Sequence, residues 1–113
     1  MKHLIKYLTV ILVAISFIAC SDDPPGMRVQ NQNLNKANVQ IKTVANTINQ
    51  NDVQPGTTTN FQEVPEGRVE ITAVIQNETV SPTSTFNAQV DHNYTIVILN
   101  SNPPAIRIDA ANK

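Results

Sequence analysis

The chain has 113 residues with nine acidic and eight basic side chains, a size that suits one domain. Beyond residue 19 the cations Arg28, Lys36, Lys42, Arg68, Arg107 and Lys113 stand singly along the sequence. Nucleic-acid binding needs clustered Lys and Arg to displace counterions, so no nucleic-acid partner is expected.

The N-terminal segment has the character of an export signal. Lys2, His3 and Lys6 precede an uncharged run from Leu8 to Ala19, 12 residues long. That length fits the core of a signal peptide and falls short of the ~20 residues that cross a bilayer as a helix. Phe17-Ile18-Ala19-Cys20 resembles the lipobox of bacterial lipoproteins, with Phe17 where Leu is usual and Ile18 where a smaller residue is frequent. The resemblance implies cleavage between Ala19 and Cys20, lipidation of Cys20, and attachment to a membrane through the acyl chains. Two or more chains hold a protein stably where one is marginal. Ser21-Asp22-Asp23 resembles the acidic run that takes Bacteroidota-type lipoproteins to the outer face of the outer membrane. Cys20 is the only cysteine, so no disulfide forms within one chain. The expected organisation is a signal-peptide helix over 1–19, lipidated Cys20 with a flexible tether over 20–26, and a β-sandwich over 27–113. Pro24, Pro25 and Gly26 read as an extended spacer.

Cleavage leaves 94 residues with six basic and nine acidic side chains, a net charge of −3. A weak strand is expected around Met27 to Gln32, and Val39 and Ile41 alternate with Gln40 and Lys42. The middle, Ala45 to Asn60, reads either as a short edge strand or as a hydrated loop. Val-Pro-Glu-Gly at 64–67 has the proline and glycine positions of a type I turn. Val69, Ile71, Ala73 and Ile75 then alternate with a mostly polar opposite face. Phe86, Ala88 and Val90 form a further alternation, followed by a tight turn at Asp91-His92-Asn93. Tyr94 to Leu99 is apolar on both faces apart from Thr95, as in a central strand. Ser101-Asn102-Pro103-Pro104 separates it from a last short strand containing Ile106 and Ile108. About seven strands at this spacing predict an all-β fold, a single antiparallel Ig-like β-sandwich. Val-Pro-Glu-Gly and Asp-His-Asn-Tyr-Thr-Ile-Val-Ile also resemble Ig-like modules of secreted bacterial proteins. That likeness implies the fold and carries no catalytic residues.

Chemistry-bearing groups are sparse. His92 is the one histidine outside the signal segment, and a nucleophile needs both a base and a group to orient it. Ser81, Ser84 and Ser101 have no nucleophile-elbow context. Glu63 and Glu66 flank a turn, and Glu70 and Glu78 are expected on the polar face of one strand. No cofactor and no metal site is expected. The leading expectation is a non-catalytic module that binds an envelope protein or glycan, with Gln54 to Thr59 as a hydrogen-bonding loop. An enzyme acting on envelope polymers and a carrier of an apolar ligand between the sheets are the alternatives.

Overall fold

A computed structural model of the chain describes residues 22–113, so the signal segment, Ala19 and Cys20 lie outside the described residues. Eight strands follow one another: β1 (Gly26–Asn31), β2 (Ala37–Lys42), β3 (Thr47–Val53), β4 (Gln62–Glu63), β5 (Gly67–Ile75), β6 (Thr83–Ala88), β7 (His92–Ile98) and β8 (Ile106–Asn112). They form two four-stranded sheets. Sheet A has the order β4-β1-β7-β8 and sheet B the order β3-β2-β5-β6. The all-β sandwich expected from the alternating pattern is present, with no helix among the described residues.

The period-2 pattern explains which faces meet. Val39 and Ile41 of β2, and Val69, Ile71, Ala73 and Ile75 of β5, are buried on the inner face of sheet B. Val29 of β1 and Ile96 and Ile98 of β7 answer them from sheet A. Each fully buried Val or Ile side chain contributes roughly 1.5–3 kcal/mol of transfer free energy. Val97 points to the opposite side of β7 and is still fully buried, so β7 is covered on both faces.

Three features differ from the sequence-based expectation. Sheet B is antiparallel throughout, but sheet A is mixed, because β1 runs parallel to β7 from Gly26 against Asn93 to Asn31 against Ile98. A parallel pair needs a long crossover, and here the whole of sheet B is built within that crossover. Secondly, the spacer is shorter than expected: Pro25 and Gly26 are buried, and the Pro25 carbonyl accepts from Val64 N at 2.9 Å. Thirdly, the type I turn expected at Val64 to Gly67 is absent: the chain bends openly at Glu66, and Gly67 opens β5 at φ 127°, a conformation that suits glycine. Of the two readings of Ala45 to Asn60, the edge strand is the one present, as β3, whose polar amides hide its pattern.

Strand directions give the sandwich two distinct ends. β1, β3, β5 and β7 start at one end, and β2, β6 and β8 return to it. Asp23, the 43–46 turn, Gly67, the turn before β7 and Lys113 gather at this end, called the near end. The far end carries the connections 32–36, 54–60, 76–82 and 99–105. The nine residues of β5 separate the ends by about 30 Å at the usual strand rise.

Candidate functional site: the two ends of the sandwich

At the near end, Asp91 fastens both extremities of the described chain. Its φ of 60° lets the turn reverse tightly between β6 and β7, a conformation Asp tolerates better than most residues. Asp23 N donates to Asp91 Oδ1 at 2.8 Å, while Asp91 N donates to the Asp23 carbonyl at 2.9 Å. Lys113 N donates to the Asp91 carbonyl at 2.9 Å. Behind the same turn, the Tyr94 hydroxyl accepts from Gln89 N at 2.9 Å. Its ring packs on Phe86 with centroids 4.8 Å apart. A tyrosine at the start of a strand, bonded to backbone a few residues upstream, is the corner device of Ig-type sandwiches.

His92 belongs to this end as well. Its Nδ1 lies 2.8 Å from the Val90 carbonyl, which can only accept, so Nδ1 carries the proton. The ring stacks on Tyr94 at 6.2 Å. Among the described residues no hydrogen bond joins His92 to a serine or a carboxylate. Ser101 Oγ is directed to the Pro103 carbonyl, and Ser84 lies opposite Ile71 in the β5–β6 register. The four glutamates are also apart: Glu63 is on β4, Glu66 at the bend, Glu70 on the outer side of β5. Glu78, expected on the same strand as Glu70, sits instead in the turn after β5, where its N–H donates to the Ile75 carbonyl. Among the described residues no three His, Cys, Asp or Glu side chains come together as a metal would require.

The far end is organised by asparagines. Asn31 is fully buried at the end of β1 and donates to the Val53 and Asn35 carbonyls at 2.9 and 3.0 Å. Its Oδ1 accepts from Asn33 N, and Asn33 Oδ1 accepts in turn from Asn35 N. Asn33 Nδ2 reaches the Leu99 carbonyl at 3.3 Å, tying this turn to the β7–β8 connection. The Asn-x-Asn-x-Asn spacing at 31–35 is the sequence signal for these successive side-chain turns. The Gln54–Thr59 loop is less free than expected. Asn31 N donates to the Thr57 carbonyl, Gly56 N to the Asn31 carbonyl and Thr59 N to the Val29 carbonyl, so this segment lines the edge of β1. Gln54, Pro55, Thr57 and Thr58 stay exposed, as does Leu34 in the 32–36 connection, which is 76% accessible.

Two open grooves lie on the outer side of sheet B. The larger, about 440 Å³, is at the near end between the 43–46 turn and the start of β5. There Arg68 Nη2 meets Glu70 Oε1 at 2.9 Å, and Lys42 faces Glu70 across the β2–β5 pairing. The smaller, about 250 Å³, is at the far end, where Lys36 and Asp52 pair at 3.4 Å beside Val74 and Gln76. On the outer side of sheet A, Arg28 spans Thr95 Oγ1 and the Phe61 ring. Arg107 pairs with Asp109 through two hydrogen bonds, and that hydrogen bonding and charge hold the guanidinium above its ordinary range. No known protein family matches the chain, and no curated protein matches it in sequence. No helix of the described residues is long and apolar enough to cross a membrane.

Proposed function

We propose that the protein is a lipid-anchored lipoprotein of the bacterial cell envelope, held in the outer membrane through Cys20, whose far-end loops bind an envelope protein or glycan. The reading rests on one observation above the rest: the chain emerges from its N-terminal segment at Asp23, at the near end, and strand polarity sets the loops 32–36, 54–60, 76–82 and 99–105 at the other. An anchor at the near end leaves those loops facing away from the lipid. Their exposed amides and hydroxyls suit hydrogen bonding to a polar partner, and Leu34 and Val80 add apolar contact. The lipid attachment itself is supported by the sequence pattern at Phe17 to Cys20.

The test has two arms. Cells fed a labelled fatty acid should label this protein, and Cys20→Ser should lose both the label and the membrane fraction. A photo-crosslinking residue at Leu34 should capture a partner on intact cells, while one at Ala45, in the near-end turn, should not. Unlabelled protein overturns the anchor, and equal capture at both positions overturns the far-end assignment.

A further inference from the structure

We infer that β8 is a pairing edge for a second copy of this chain, joined antiparallel about Ile108. β8 lies at the end of sheet A and bonds to β7 alone. Leu99 N donates to the Ala105 carbonyl and Lys113 N to the Asp91 carbonyl, two partners in the same β7–β8 register. The parity of an antiparallel ladder then fixes the rest. Odd-numbered residues of β8 face β7, and the N–H and C=O groups of Ile106, Ile108, Ala110 and Asn112 face away from it.

The other edges are less suited to this use. β4 has two residues and runs into Val64-Pro65. The β2–β3 register shifts between Ala37 and Val39, beside Asp52 at φ 54°. β6 carries no charged side chain that could select a register. Bulges, short length, proline and charge are the devices that blunt a sheet edge; of these β8 has only charge, Arg107 and Asp109, which are of opposite sign.

Charge picks the occupant and the register. With Ile108 opposite Ile108 of a second copy, Arg107 of each chain faces Asp109 of the other, twice, in the closely spaced pairs of the ladder. A shift of one residue on each chain sets Arg107 against Arg107 or Asp109 against Asp109, which repels. The half-exposed flanks of Ile106 and Ile108 become covered, Ile106 lying against Ala110 of the second copy. Pro104, which has no N–H, ends the ladder where it would meet Asn112. The two-fold axis puts the two Asp23 positions at opposite ends of the pair.

Sedimentation of the full chain in density-matched detergent tests this independently of the anchor and of any far-end partner. Wild type should sediment as a dimer at submillimolar concentration. Arg107→Asp and Asp109→Arg should each weaken dimerisation at least about tenfold, since each converts two attractive pairs to repulsive ones. The double swap should restore it, and an equimolar mixture of the two single variants should form heterodimers. Far-UV circular dichroism separates these effects from unfolding. A monomeric wild type, or single variants that dimerise as wild type does, overturns the proposal. So does a mixture of folded single variants that stays monomeric.

Discussion

The two ends of this sandwich solve the same problem, the closing of loops over a thin core, by opposite means. At the far end a buried amide, Asn31, reaches three backbone groups on two other segments, and its neighbour Asn33 continues the chain of bonds. At the near end each side chain makes a single polar contact, Tyr94 with Gln89 and Asp91 with Asp23, around an aromatic pair. A buried side chain that satisfies several groups concentrates the cost of its loss, whereas partly exposed contacts leave water able to substitute. The far end should therefore be brittle to one substitution and the near end tolerant of several.

The sharpest way to break that contrast is Asn31→Ala. It strands two carbonyls and one N–H in a buried turn, and we expect a loss of about 3 kcal/mol in urea denaturation. At the near end the largest effect should come from backbone, not side chain. Gly67→Ala forces a Cβ into a left-handed conformation and within 3.0 Å of Val44 Cγ1, for an expected loss of about 2 kcal/mol by the same measurement. Tyr94→Phe keeps the ring on Phe86 and removes only the hydroxyl, so about 1 kcal/mol should go, seen as a Tm lowered by several degrees. Asp91 gives the finest distinction. Asp91→Asn retains an acceptor and tolerates the positive φ, so it should be nearly silent, while Asp91→Ala should cost about 1 kcal/mol and speed amide exchange at Asp23. Should Tyr94→Phe prove as damaging as Asn31→Ala, the distinction between the ends fails.

What the sequence disclosed follows the same physical divide. β5 and β7 were legible because burial on one face imposes alternation, and burial on both faces imposes an apolar run. β3 was obscured because an edge strand with Asn49, Gln50 and Asn51 exposes most of its residues, so its pattern is set by solvation. β1 read as a weak strand, but its parallel partner lies 67 residues further on, and no local pattern encodes so distant a pairing. Pro24-Pro25-Gly26 looked like free spacer because composition reports stiffness and not docking. Of the candidate groups, His92 was expected in a turn over 91–93 but opens β7, because the positive φ of Asp91 completes the reversal one residue earlier. The asparagine spacing at 31–35 was visible as composition, yet its meaning as a buried network depends on where Val53 and Leu99 arrive.

The parallel alignment of β1 and β7 has a mechanical consequence. Traction on the N-terminal segment, opposed by a grip on the far loops, draws β1 lengthwise out of the middle of sheet A. Its ladder bonds to β7 would then be strained together in shear, instead of being unzipped one after another from an edge. A domain that a pulling force enters through a central strand carries a sustained load without first unravelling where the force is applied.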